Sequence, residues 1–423
     1  MTLIVTIIFI IGYFLIAFEH KIKIDKAATA LITGVLCWLL FYLSRHSHVE
    51  SEKALLGHLG DISAILFFLL GAMTIVEVID SHDGFRLITD VIRTKSKPQV
   101  LVLVSIIAFF LSAILDNLTT SIVMTSLSRN LLSEREDRLW FASMIIIAAN
   151  AGGAWSPIGD VSTTMLWIGG QITAGNIVVK TFIPSLMVVL VPLIILLVKF
   201  RGQEIGHVSR TKNSDHPAES NLMLLSGMGL LIFVPVFKTI THMPPFMGML
   251  IALGTMWVIS SLIHFGKHPE ERLRYSVTNA LRRIDTSSIL FFLGILLAVS
   301  ALQSIGALGQ MADFTAKYIK NEYITGTILG LFSAVIDNVP LVAAAQGMFS
   351  LEMYPCDHAF WEFLALSAGT GGSAIIIGSA AGVAVMGIEK INFFWYLKNV
   401  SLLALLGFFA GLGTYIFQQW LLG

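Results

Sequence analysis

The chain has 423 residues, of which 56% are hydrophobic and only 13% charged, and its formal net charge is zero. Soluble domains carry about 25% charged residues, so this composition, with a mean hydropathy of +0.81, excludes a soluble enzyme; the zero net charge says nothing about partners, and no nucleic-acid partner is expected. It defines an all-α polytopic membrane protein whose first partner is the lipid bilayer.

Met1 to Phe18 lacks a basic leading region and a small-residue cleavage site, so it reads as a retained first helix. Apolar runs then predict helices at 2–18, 28–43 and 62–80. The run 99–132 is too long for one span at 1.5 Å per residue and carries Asp116 at its middle, which predicts two short helices in a re-entrant hairpin. The run 139–168 is interrupted by Gly152, Gly153, Pro157 and Gly159, and 175–199 completes a first unit, 1–200. The polar stretch 201–219 reads as a linker. The second unit, 220–423, has runs at 220–238, 246–265 and 286–304, a hairpin at 325–349 around Asp337, a Gly-broken run at 360–388 and a last span at 396–420. Cys37 lies in an apolar segment and Cys356 in a loop, with no metal-type spacing and no expected pairing.

The two units repeat one another. Ser112-Ala-Ile-Leu-Asp-Asn-Leu-Thr-Thr120 returns 221 residues later as Ser333-Ala-Val-Ile-Asp-Asn-Val-Pro-Leu341. Ile65-Leu-Phe-Phe-Leu69 returns as Ile289-Leu-Phe-Phe-Leu293, Ala151-Gly-Gly153 as Thr370-Gly-Gly372, and Gly159 as Gly378. If both hairpins return to the side they left, Lys and Arg in the short loops fall 20 on one side and five on the other, which makes the basic side cytoplasmic. Each unit then has five transmembrane helices plus one re-entrant hairpin. An odd number of spans inverts the second unit relative to the first. Both termini fall outside, and 201–219 is a cytoplasmic linker. Inverted repeats with broken helices at the midplane are the plan of secondary transporters.

Carboxylates at membrane depth cost free energy and mark function. The candidates are Asp116 and Asp337 at the hairpin tips, Asp160 after the first helix break, and Glu77 near a span end. No Lys or Arg lies deep in a span, so each anion must take up a proton or hold a mobile cation. Competition of a proton and a metal cation for one site is what an exchanger needs. Neutral oxygens for a hard cation such as sodium come from Asn117, Thr119, Thr120, Asn150, Ser156, Thr163, Thr164, Asn338, Ser373 and Ser379, and from carbonyls freed at the breaks. Other roles stay open. Ser and Thr bond back to their own helix, Gly pairs permit close packing, Asp116 and Asp337 suit N-caps, and Glu77 can reach the surface. Most histidines, including His46, His48, His58, His82 and His264, fall in loops and at span ends, where solvation is expected.

The hairpin phrases, with Asn150-Ala-Gly-Gly-Ala-Trp-Ser-Pro-Ile-Gly-Asp160 and Ala368-Gly-Thr-Gly-Gly-Ser-Ala-Ile-Ile-Ile-Gly-Ser379, give the chain a further reading. It resembles the NhaD-type sodium/proton antiporters of the ion transporter superfamily, which also holds arsenite pumps and dicarboxylate carriers. The resemblance implies export of sodium or lithium against entering protons in a bacterial inner membrane, serving pH homeostasis. It also implies a homodimer with an elevator-like motion and no cofactor beyond the transported ions. Asp116, Asp160 and Asp337 would hold the sodium, with Asn117, Thr163, Thr164 and Asn338 beside them. Two rivals remain: a sodium-coupled dicarboxylate or arsenite carrier, disfavoured by bare carboxylates, and an intramembrane aspartyl hydrolase, whose Gly-x-Gly-Asp phrase is absent.

Overall fold

The computed structural model describes residues 2–17, 19–44, 48–85, 94–205, 217–319, 321–335 and 337–422. Nearly all of these are helical, and the β-type contact among them is an isolated antiparallel bridge between Ser96 and Glu204. In order, α1 is Thr2–Ala17, α2 Glu19–Ile22, α3 Lys26–Ser44, α4 His48–Ser81, α5 Lys97–Ser112, α6 Asn117–Leu131 and α7 Arg135–Ala154. Then come α8 Val161–Ile168, α9 Ala174–Lys199, α10 Pro217–Thr241, α11 Pro245–Ile263, α12 Pro269–Arg274, α13 Val277–Arg283 and α14 Thr286–Ser304. The chain closes with α15 Ala307–Tyr318, α16 Glu322–Phe332, α17 Asn338–Met348, α18 Ala359–Gly371, α19 Ala380–Glu389, α20 Phe393–Asn399 and α21 Ser401–Leu422. Among the described residues, seven helices are long and apolar enough to cross a bilayer: α3, α4, α9, α10, α11, α14 and α21.

Both long runs break where the carboxylate stands. Residues 99–132 divide into α5 and α6 around Ala113–Asp116, and 325–349 divide into α16 and α17. The Gly-rich runs break as well, into α7 with α8 and α18 with α19. The same contacts hold both sets together. Ser112 Oγ donates to the Ala149 carbonyl (2.6 Å) and Ser333 Oγ to the Ala368 carbonyl (2.7 Å). A Cβ on Gly152 would lie 2.1 Å from the Phe109 carbonyl oxygen, and one on Gly371 would lie 1.9 Å from that of Gly330. Glycine at these positions lets α5 rest on α7 and α16 on α18, backbone against backbone.

Packing exchanges partners between the two halves of the chain. Helix α3 packs on α14, and α11 on α4; α6 packs on α19, and α17 on α8. At the α3–α14 crossing, a Cβ on Gly34 would meet the Gly294 carbonyl at 2.5 Å.

Several features depart from the sequence expectation. Helix α4 begins at His48 rather than residue 62, because the polar stretch before residue 62 continues the helix, with Ser51 buried on one face. The last span starts as a separate short helix, α20, before α21. Helix α15 was not foreseen; it is short and amphipathic, with Met311, Phe314 and Tyr318 exposed. Of the linker, residues 206–216 lie outside the described residues, as do the loop cations Arg86, Arg93, Arg210 and Lys212, and His46. The start of the linker is ordered by pairing: Ile205 N–H donates to Lys95 O (2.9 Å) and Lys97 N–H to Gln203 O (3.1 Å).

Two histidines expected to be solvated are instead buried. His82, just beyond α4, and His264, at the end of α11, pack against each other (centroids 5.1 Å) and against Tyr275. Each Nδ1 bonds a carbonyl four residues back, Val78 O at 2.6 Å and Ser260 O at 2.7 Å, which lets the ring fold onto its own helix end. Burial pushes the His82 imidazole down to about 4, against the opposing pull of the Val78 carbonyl.

Candidate ion-binding site

Four short helices begin at the breaks, and a polar side chain caps each. Asp116 caps α6, with Oδ1 accepting from Thr119 N (2.8 Å) and Oδ2 from Thr119 Oγ1 (2.8 Å). Asp160 caps α8 through Ser162 N (2.8 Å). Asp337 caps α17 through Val339 N (3.2 Å), and Ser379 caps α19 through Gly382 N (3.1 Å). The first turn of a helix has unpaired N–H groups and the positive end of the helix dipole. A carboxylate placed there satisfies both.

Side-chain hydrogen bonds join these four ends. Asn117, first in α6, donates from Nδ2 to Asp160 Oδ2 (2.5 Å) and to Asn150 Oδ1 (3.1 Å). Asn338, first in α17, donates to both oxygens of Asp160 at 3.0 Å. Asn150, in α7, donates to Ser373 Oγ (2.9 Å) and Ser379 Oγ (3.0 Å). Asp160 therefore holds the centre. It is 1% exposed, and with Ser162 Oγ (2.5 Å) it takes all its bonds from neutral donors. Among the described residues, no Lys, Arg or His pairs with Asp116, Asp160 or Asp337.

The surroundings lock this geometry. Ser156 Oγ donates to the Ala113 carbonyl (2.5 Å), tying the first break to the first hairpin. Thr164 Oγ1 donates to the Pro157 carbonyl (3.0 Å) inside the break. Tyr396 donates to the Ser373 carbonyl (2.8 Å) at the second break. The hydroxyls of Thr120 and Thr163 are buried without a hydrogen-bond partner, so two neutral oxygens beside the caps are uncommitted. Asp116 itself has φ +132° and ψ 160°, a region used almost only by glycine and costing on the order of 1–3 kcal/mol. Strain of that size between α5 and α6 makes Asp116 a candidate functional position, and residue identity gives no sign of it.

Thus Asn117, Asn150, Asp160, Asn338, Ser373 and Ser379 form one connected cluster, with Asp116, Thr119 and Asp337 capping at its edge. Glu77 stands apart: its Oε1 faces Arg283 Nη1 at 3.7 Å, and no bond links it to the cluster. Sequence reasoning passed over Ser162, whose hydroxyl and N–H both serve Asp160; its place two residues after a break carboxylate was the available signal. It also passed over Glu362, 1% exposed and bonded by Asn176, by Tyr415 (2.5 Å) and by Gln419 (3.4 Å). A position at the start of an apolar run hid that carboxylate as a span-end residue.

Paired helix breaks that present polar side chains to one another inside an apolar bundle define a polytopic membrane carrier. The model of the citrate transporter family matches residues 13–369. Sodium/proton antiporter 1 of Arabidopsis thaliana is 44% identical over 412 residues, covering 97% of this chain and 71% of the relative. Sodium/proton antiporter 2 of the same plant is 44% identical over 418 residues, covering 97% and 98%. The Na(+)/H(+) antiporter NhaD of Vibrio cholerae is 28% identical over 428 residues, covering 93% and 87%. The chain belongs to the citrate transporter family and, within it, groups with the NhaD-type antiporters. The family and these relatives are transporters, not enzymes, which removes the intramembrane hydrolase reading.

Proposed function

We propose that the protein exchanges cytoplasmic sodium, or lithium, for external protons, with the aspartates of the four-helix junction binding cation and proton competitively. The observation that carries this reading is Asp160: buried, held only by neutral donors, and without a basic partner among the described residues. Such a carboxylate is balanced by a mobile cation. Converging helix N-termini would by themselves favour an anion. Here carboxylates occupy three of the four caps, so the remaining ligands are oxygens and the junction suits a cation. Asp160 is enclosed by donors, whereas Asp337 takes one backbone bond and borders a cavity, so Asp337 is the carboxylate open to water.

The exchanged packing of α3 with α14 and α11 with α4 supports two inverted repeats, 1–200 and 220–423, each with a re-entrant hairpin. The basic loops are then cytoplasmic and both termini outside. Alternating access follows by an elevator-type movement of the hairpins and broken helices against the remaining helices, in a homodimer. A bacterial inner membrane and a role in pH homeostasis complete the reading.

The test is sodium-driven proton flux in proteoliposomes containing no organic anion. Exchange under those conditions supports the proposal. Flux that appears only when citrate or a dicarboxylate is added favours sodium-coupled anion transport and overturns it.

A further inference from the structure

A cavity adjoins the cluster. It holds about 50 Å³ and is lined by Tyr13, Glu19, Lys26, Phe291, Asp337 and Ser379, with Ile377 and Val383 along its wall. Ser379 belongs both to the cavity and to the hydrogen-bonded cluster, through the bond from Asn150 (3.0 Å). Glu19, which opens α2, and Lys26, which opens α3, line the same cavity and belong to a segment of the chain's basic loops. Lys26 does not reach across to Asp337. Its Nζ lies 4.6 Å from the centroid of the Phe291 ring, a cation–π contact that parks the charge on the wall. Tyr13 reaches in from α1 and lines the cavity together with Asp337. A water needs roughly 10–15 Å³ of such space, so the cavity takes a few waters or a partly hydrated ion. Asp116, the counterpart of Asp337, does not line it.

We infer that this cavity is the cytoplasmic vestibule of the exchanger, in which Glu19 draws the cation in and Asp337 receives it first. The inference rests on the exchange reading and on the orientation above. It goes further in ranking the two hairpin carboxylates: in this conformation Asp337 is the one open to the cytoplasm. A carboxylate at the mouth of a narrow, low-dielectric passage raises the local cation concentration. Glu19 therefore acts on sodium capture and not on the exchange step.

The experiment places a single cysteine at Val383 or, separately, at Ile377, in a Cys356→Ser background. Cys37 is fully buried and does not compete for reagent. A charged, membrane-impermeant methanethiosulfonate is applied to inside-out and to right-side-out vesicles. Both positions should label from the cytoplasmic face, and sodium but not choline should slow the reaction several-fold. Labelling only from the external face, or labelling of neither position in protein that still purifies as a single folded species, overturns the vestibule. Labelling that is indifferent to sodium overturns its occupant. In transport, Glu19→Gln should raise half-saturating cytoplasmic sodium several-fold at low ionic strength with the maximal rate unchanged, and the difference should shrink in 0.1 M impermeant salt, where the screening length is about 10 Å. An unchanged half-saturation removes Glu19 from the assignment. Should the wild type show no sodium-driven proton flux at all, the exchange reading fails, while cytoplasmic labelling still decides the vestibule.

Discussion

Replacing Asp160 by Asn tests the centre of the site with the smallest change of shape. Oδ1 accepts from Ser162 N (2.8 Å), Ser162 Oγ (2.5 Å) and Asn338 Nδ2 (3.0 Å), and Oδ2 accepts from Asn117 Nδ2 (2.5 Å) and Asn338 Nδ2 (3.0 Å). An amide turns one of those acceptors into a donor that faces donors, and it removes the charge opposite the ion. Losing the charge opposite the ion should weaken sodium binding at least tenfold, which is about 1.4 kcal/mol. The assay is sodium titration of the thermal midpoint of purified protein, followed by exchange in proteoliposomes. Asp160→Asn should need at least tenfold more sodium for the same stabilisation and should lose exchange. A variant that keeps the wild-type sodium dependence in both assays refutes the argument that Asp160 holds the cation.

Other perturbations read separate parts of the account. Asp116→Asn and Asp337→Asn should each abolish sodium–proton exchange while the protein still inserts, checked by transport against membrane content; normal exchange in both would remove the hairpin tips from the mechanism. Gly371→Ala sets a methyl against the Gly330 carbonyl, where a Cβ would lie at 1.9 Å. Overpacking of that kind costs about 1–3 kcal/mol, so its thermal midpoint should fall, whereas Gly254→Ala, with open space at its Cβ, should not. His82 is held neutral in the fold at about 4 against a usual 6.5. The unfolded chain therefore takes up the proton first, and His82's contribution to stability, complete above pH 6.5, is lost as pH falls towards 4. The thermal midpoint should drop between pH 7 and 5, and His82→Phe, which keeps a ring against Tyr275, should flatten that slope; an unchanged slope would show that His82 does not carry it.

Much of the site was legible because its chemistry is costly in lipid. Asp116, Asp160 and Asp337 stand out as charges in apolar runs, and Gly152, Gly153, Pro157 and Gly159 mark the break that frees a helix N-terminus for Asp160. The neighbours Asn117, Asn150, Asn338, Ser373 and Ser379 were legible as polar atoms needing partners, and the structure joins them. What stayed hidden depends on contacts across the fold. Composition alone cannot pair Glu77 with Arg283 or bury Glu362 among Asn176, Tyr415 and Gln419. Nor can it fold His82 and His264 onto one tyrosine, since loop histidines are usually solvated. Hydropathy also undercounts α4, whose polar first turns are helical because one face packs, and it overlooks α15, whose apolar residues lie on one side of a short helix. The strain at Asp116 is a backbone property with no counterpart in residue identity.

The central claim is that sodium and protons compete for the same buried carboxylates. Its most direct measurement is proton release from purified protein in weakly buffered solution on addition of sodium, repeated across pH. Sodium should evoke proton release from the wild type and none from Asp337→Asn, and choline should evoke none from either. Sodium binding that releases no protons at any pH would contradict it.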